Sequence, residues 1–208
     1  DLFGEVRLES DGSDGRIVRD AAAAALPLRW LANSLMRREA RALAALNGLD
    51  GVPGLIRVNR NRLEREYLDG EPMHRAKPRD PDYFRHAMRL LRQLHARGVV
   101  HNDLAKEPNV LVVANGLPAF VDFQLAWHAP KRGRLFCVLA YDDLRHLLKH
   151  KRSYCADELT QRERQILARP SLPSRLWMRL VKPPYLFLTR RVLGWADREG
   201  ASDRGERR

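Results

Sequence analysis

The chain has 208 residues, 44% hydrophobic and 31% charged, enough to bury a substantial core in one domain or two small lobes. Its longest uncharged run, Pro108 to Val121, is broken by Asn115, Gly116 and Pro118, which excludes a membrane-spanning helix as a sequence reading. The net charge of +12 attracts anions of many kinds, so it constrains the sign of a partner and not its identity.

The start of the chain, Asp1 to Ser10, lacks the basic and apolar regions of a secretory signal, and the protein reads as cytoplasmic, with peripheral contact at the inner membrane surface as an addition. Arginine outnumbers lysine 32 to 6, which reads as genomic composition more than chemistry. Cys137 and Cys155 form neither a CxxC pair nor a zinc pattern, so both are expected as reduced thiols.

Glu5 to Ser10 and Arg16 to Arg19 are strand-like and flank Asp11-Gly12-Ser13-Asp14-Gly15, a turn sequence, so the chain is expected to begin with a hairpin. From Pro27 to Leu46 the residues Leu28, Leu31, Leu35, Ala42, Leu43 and Leu46 recur near helical spacing, and Asn47-Gly48 supplies a stop. Leu55 to Val58 and Leu63 to Leu68 read as strands, and Asp69-Gly70-Glu71-Pro72 marks a lobe boundary near residue 70. A second helix runs from about Pro81, capped by Asp80, to Gly98. Val110 to Val113 and Pro118 to Val121 form another hairpin around Asn115-Gly116. Helices follow over Asp142 to Lys151 and Thr160 to Ala168, the latter opening with the capping-box pattern Thr160–Glu163. The division is thus a small first lobe over 1–70, a mostly helical lobe over 71–170 and a basic, aromatic extension over 171–208, whose last residues from Asp197 read as a frayed tail.

The informative segment is His101-Asn102-Asp103-Leu104-Ala105-Lys106-Glu107-Pro108-Asn109, followed after an apolar hairpin by Asp122-Phe123-Gln124. Phosphoryl transfer from ATP needs a carboxylate beside the acceptor hydroxyl and oxygen ligands holding magnesium on the phosphates. Asp103, Asn109 and Asp122 offer those oxygens, and the hairpin would return both ends of the segment to one cleft.

These motifs resemble the HxDLxxxxN catalytic loop and DFG metal loop of the protein-kinase-like phosphotransferase superfamily, in particular its compact bacterial kinases grouped with RIO-type and lipopolysaccharide core kinases, over about residues 3–155. The resemblance implies an α+β, two-lobed fold with a reduced antiparallel sheet lobe and a helical lobe. It implies Asp103 as catalytic base, His101 as the buttress of its loop, Asn109 and Asp122 as ligands of Mg2+ or Mn2+, and Lys106 as a γ-phosphate contact. Arg19 falls where the family places the lysine that grips ATP, and Glu39 where it places that lysine's carboxylate partner. Glu66-Tyr67-Leu68-Asp69-Gly70 resembles the hinge, where backbone groups of Glu66 and Leu68 would bind adenine.

Departures from the pattern carry their own expectations. Arginine forks its donors in a plane and does not copy a point ammonium. Only Phe3-Gly4-Glu5-Val6 resembles the glycine-rich loop, and then only its end, so the phosphate lid is expected to be short. Asn109 stands six residues after Asp103 where the family has five, an insertion a bulge would absorb, and Gln124 replaces the glycine of DFG, which favours a fixed metal loop.

Other residues have plainer readings. His95, His128 and His146 read as packed core histidines, and Asp142 and Asp143 as N-terminal caps of their helix, although the resembling family has an acid hereabouts that braces the catalytic loop. Leu172 to Leu193 interleaves aromatic and aliphatic residues with arginine, which suits packing on the second lobe or a peripheral membrane contact. The acceptor reads as a serine or threonine of a protein, or a lipid-linked core sugar. Two alternatives stand beside the enzyme: a pseudokinase that binds nucleotide without phosphotransfer, and a basic nucleic-acid binder. The latter would need basic residues interleaved with stacking aromatics, a motif the sequence does not show, so no specific nucleic acid is expected.

Overall fold

The structure, a computed structural model, describes residues 5–11 and 14–168, all within one compact unit, Asp1–Arg169. Readings for Phe3 and Gly4, for Leu172 to Leu193 and for the tail from Asp197 lie outside the described residues.

The first hairpin forms as expected: β1 (Glu5–Asp11) pairs antiparallel with β2 (Asp14–Asp20), Glu5 opposite Asp20 and Asp11 opposite Asp14. Asp20 then accepts the Ala22 N–H at 2.8 Å, turning the chain through two 3-10 turns into α1 (Arg29–Ala45). The face of α1 turned inward carries Ala32, Met36, Glu39, Ala40, Ala42 and Leu43, while Leu28, Leu31 and Leu35 are only half-buried. Ala32 and Ala40 explain the rotation: small side chains let the helix axis approach the sheet more closely than leucines would. β3 (Leu55–Val58) and β4 (Arg62–Glu66) complete a four-stranded antiparallel sheet in the order β1-β2-β4-β3. The expected strand to Leu68 stops at Glu66, so Tyr67 and Leu68 leave the sheet as a connector.

Beyond it, β5 (Gly70–Pro72) leads into the short α2 (Met73–Ala76) and then α3 (Pro81–Ala96), which Asp80 caps by accepting the Asp82 N–H at 2.8 Å. Gly98 ends that run at φ +73°, and a Cβ there would meet the Ala129 carbonyl at 2.9 Å, so only glycine fits. Next come β6 (Val99–Val100), the hairpin β7 (Val110–Val113) and β8 (Pro118–Phe120), then β9 (Trp127–His128). β5 joins the hairpin as β5-β7-β8, and β6 pairs with β9.

The helix expected over Asp142 to Lys151 is twice as long: α4 spans Arg134–Tyr154 and is followed by α5 (Gln161–Ala168). Its true start, at Gly133, has no capping side chain and so leaves no signal in the sequence. The capping box of α5 does form, Glu163 accepting the Thr160 N–H at 2.8 Å and Thr160 Oγ1 accepting the Glu163 N–H at 3.2 Å.

Two apolar clusters result. Ala21, Ala24, Ala32, Met36, Ala40 and Leu63 lie between the sheet and α1, while Ala42, Leu43 and Leu46 join a larger core around Phe84, Leu91, Leu94, Leu104, Phe120 and Phe123. Helix α1 therefore spans both clusters, and Glu39 sits between its two apolar halves.

Candidate functional site

Helix α4 sets the position of the loop that follows β6. Asp143, in the middle of the helix and 1% exposed, accepts the backbone N–H of His101 at 2.7 Å and of Asn102 at 2.9 Å. Asp143 is therefore no cap: burial of a carboxylate is offset here by charge-assisted hydrogen bonds from the loop backbone. Two turns on, His150 Nε2 donates to the Leu104 carbonyl at 2.7 Å, and Tyr154 Oη donates to Glu107 Oε2 at 2.6 Å. One face of α4 thus clamps the loop at four of its residues.

His95 reaches the same Asp143 at 3.3 Å and sets its ring edge-on to Phe136, consistent with packing. None of the three histidines is fully buried. His128 is half-buried at the β9 edge, and His146 lies 3.5 Å from Asp142 on a half-exposed face.

Within the clamped loop, Asn109 Nδ2 donates to the Asp103 carbonyl at 2.9 Å and to Asp103 Oδ2 at 3.0 Å. Lys106 Nζ lies 2.9 Å from the same Oδ2. The extra residue between Asp103 and Asn109 is absorbed by a 3-10 turn, Glu107–Asn109, and not by a strand bulge. That turn brings Asn109 back onto Asp103 although the spacing is one residue longer.

The β7–β8 hairpin carries the second half of the site to the same place. Val121 N–H donates to the Asn109 carbonyl at 3.0 Å, and His101 Nε2 donates to the Val121 carbonyl at 3.0 Å. His101 is fully buried, and burial pushes its pKa below the usual histidine value, so the ring is neutral with its proton on Nε2. Its contacts are with Val121 and with the Phe123 ring, 4.6 Å away between centroids, which makes it a positioning residue.

Asp122 itself sits at φ 63°, ψ 69°, the left-handed region that aspartate and asparagine tolerate better than most residues, and Asn102 shares that φ. Gln124 lies in a 3-10 turn with no positive φ, so the strained position is the aspartate and not the residue replacing glycine. The segment behind Asp122 is tied on two sides: Arg38 donates to the Leu125 carbonyl at 3.1 Å and the Ala126 carbonyl at 3.3 Å, and Asn102 Nδ2 donates to Leu125 at 3.0 Å. Asp122 Oδ1 is buried with no hydrogen-bond partner.

Arg19 and Glu39 do meet, at 3.6 Å, but Glu39 has a nearer cation: Arg65 Nε stands 3.1 Å from its other oxygen. Neither oxygen is aligned for a hydrogen bond, so these are charge pairs. Burial pushes the Glu39 carboxyl up, against the pull of both guanidiniums and with added repulsion from Asp122; burial likewise lowers the Arg65 pKa. Two guanidiniums and two carboxylates thus share one buried volume. Arg65 is the residue that sequence reasoning missed. It shares a face of β4 with Leu63, which is fully buried, so an arginine two residues along an inward-facing row was the available signal.

At the connector, the Glu66 N–H donates to the Gly54 carbonyl at 2.9 Å and the Tyr67 N–H to the Gly15 carbonyl at 2.9 Å, while the Glu66 carboxylate accepts the Gly54 N–H at 3.0 Å. Glu66 therefore spends both its backbone N–H and its carboxylate within the fold.

A divalent cation suits the donor set. Asn109 spends its Nδ2 on Asp103 and keeps its amide oxygen, and Asp122 has an unpartnered buried oxygen. No group of three or more His, Cys, Asp or Glu side chains able to hold a metal occurs among the described residues. One carboxylate, one amide and the oxygens of a phosphate ligand make a magnesium-type set, whereas zinc would need nitrogen or sulfur ligands. A separate recess of about 610 Å3 between α3, α4 and α5 is lined by none of these residues. Among the described residues, no helix is long and apolar enough to cross a membrane, and both cysteines are free thiols, Cys137 exposed and Cys155 buried.

No protein-family model and no curated protein matches the chain. A solved structure does: the Rio2 kinase from Chaetomium thermophilum superposes with a TM-score of 0.59 at 13% identity, covering 81% of this chain and 60% of that one. The chain therefore has a protein-kinase-like α+β fold and spans about 60% of the length of that kinase.

Proposed function

We propose that this chain is an ATP-dependent phosphotransferase acting on an alcohol, built as two lobes divided near residue 70. The observation that supports this most directly is the meeting of the two loops: Asn109 holds Asp103 while the adjoining Asp122 keeps a buried, unpartnered oxygen.

On this reading Asn109 Oδ1 and Asp122 hold Mg2+ or Mn2+. The ion, when bound, neutralises charge on the β- and γ-phosphates. Asp103 orients the acceptor hydroxyl and takes its proton. Because Oδ2 already receives Asn109 and Lys106, the acceptor falls to Oδ1. Lys106 is placed to exchange that carboxylate for a γ-phosphate oxygen. Arg65 neutralises Glu39, so Arg19, the more distant partner, has donors to spare for phosphate. The carbonyl of Glu66 and the backbone of Leu68 hold adenine. The acceptor is a protein serine or threonine, or a lipid-linked core sugar; either presents a single hydroxyl to one carboxylate.

A nucleotide-binding scaffold without phosphotransfer is the second reading. It is favoured by the two donors already seated on Asp103 Oδ2 and by arginine in place of a lysine at position 19.

The test is ATP turnover with magnesium or manganese, across protein and lipid-linked sugar acceptors, comparing the native chain with Asp103→Asn and Asp122→Asn. Asparagine at 122 preserves the left-handed backbone that alanine would strain. A loss of at least about 100-fold in both variants is expected. Equal residual turnover in all three proteins overturns the enzyme reading, and nucleotide binding without any labelled acceptor favours the scaffold.

A further inference from the structure

The outward face of α1 carries a second anion-facing feature that the phosphotransfer site does not use. Arg29, Trp30, Asn33, Arg37 and Arg41 line one side of a recess of about 540 Å3, and Arg60 and Asn61 of the β3–β4 turn line the other. Residues 30, 37 and 41 recur at helical spacing and so stand on one stripe of α1, opposite the stripe that buries Glu39. All four arginines are exposed, and none forms an ion pair within the described residues, whereas Arg16, Arg19, Arg62 and Arg65 of the adjoining sheet all do. Trp30 is 71% exposed. A large indole left in water beside four uncompensated guanidiniums serves neither the core nor a local charge network. Asn33 adds a side-chain oxygen that is buried at the recess without a partner.

We propose that this recess binds single-stranded nucleic acid, with a base stacked on Trp30 and the flanking phosphates held by Arg29, Arg37, Arg41 and Arg60. The chemistry needed is a planar π-face beside several cations spaced along a groove, and neither half alone suffices. In the sequence the pattern is incomplete, because Arg60 and Asn61 come from a turn about fifteen residues beyond the helix. The fold interleaves the aromatic with the basic residues. A bilayer fits less well. Leu26 and Trp30 are both exposed, but the recess is concave and its remaining lining is polar, whereas an interfacial helix needs a continuous apolar face to insert.

The test uses the full chain and a fluorescein-labelled 12-nucleotide oligouridylate, followed by anisotropy across a salt series. The variants are Trp30→Ala, Trp30→Phe and the double variant Arg37→Glu/Arg41→Glu. The control is Arg75→Glu/Arg152→Glu, which makes the same charge change at exposed positions away from the recess. Trp30→Ala is expected to weaken binding by about 5- to 160-fold and Trp30→Phe much less, the span that stacking of one base implies. Arg37→Glu/Arg41→Glu is expected to reduce the slope of log affinity against log salt by about 1.4, from two lost phosphate contacts on a single strand. The control pair is expected to leave binding near native. Absence of oligonucleotide binding overturns the proposal, as does an equal loss in the control pair, which would mark general charge attraction. Retention of native affinity by Trp30→Ala overturns it too. Binding to phosphatidylglycerol vesicles that Trp30→Ala abolishes, with no effect on the oligonucleotide, would assign the face to a membrane instead.

Discussion

Arg65 Nε lies 3.1 Å from Glu39 Oε1, closer than the 3.6 Å that separates Arg19 from the other oxygen of the same carboxylate. Glu39 is fully buried and is held between β4 and β2 by two cations of unequal proximity. Arg65 is thus the main compensating cation of this buried acid and Arg19 the more distant one.

Removal of the nearer cation is therefore the sharper perturbation. Arg65→Met is expected to destabilise the fold by about 2–4 kcal/mol, since it strips a buried charge of its main partner while Arg19 supplies part of the compensation. Urea unfolding measures this directly. Arg19 would then be drawn fully onto Glu39, and the KM for ATP should rise; a variant with native stability and native KM would show that Arg65 is not the compensating cation.

The clamp on the His101–Asn109 loop has an equally specific consequence. Asp143→Asn keeps the shape but offers one acceptor oxygen to two backbone donors, turning an NH2 group toward the other. The expected cost is about 1.5–3 kcal/mol in unfolding free energy. Because His101 and Asn102 would lose their register, kcat should fall more than the KM for ATP. A change confined to KM would place the effect outside this loop.

Acid should destabilise the protein through its buried histidines. Burial holds His101 and His150 below the ordinary histidine value of 6.5, so the folded state binds fewer protons than the unfolded state once the pH falls under that value. Their contribution to stability is present above about pH 6.5 and is lost as the pH drops toward their folded-state values. Thermal midpoints between pH 8 and pH 5 should decline below pH 6.5, and His150→Gln should flatten that decline. A flat profile in the native chain would mean that neither ring is held neutral.

Chelation provides a separate check on the two loops. Nucleotide should raise the thermal midpoint of the native chain in magnesium, and EDTA should remove most of that increase. Asp122→Asn is expected to abolish the magnesium-dependent part, whereas Asp103→Asn should retain it and lose turnover. If both variants respond to nucleotide and magnesium like the native chain, Asp122 is not a ligand.

The order of elements, the first hairpin, the caps at Asp80 and Thr160 and the pairing of loop motifs around the β7–β8 hairpin were all legible in the residues. Each depends on local chemistry: turn formers, side-chain oxygens beside free N–H groups, and spacing that a hairpin returns on itself. That the loops bearing Asp103, Asn109 and Asp122 adjoin was legible for the same reason, since a short hairpin lies between Asn109 and Asp122. What tertiary structure alone decided are the contacts whose partners lie far apart in the chain. Asp143 grips a loop forty residues earlier, Arg65 reaches across to Glu39, and Arg60 completes a recess begun on α1. Asp143 has no local signature and Arg65 only the weak one of its place in the row of Leu63, because a carboxylate or guanidinium in a helix or strand looks like a solvated surface residue until packing removes its water. Desolvation then makes the distant partner obligatory.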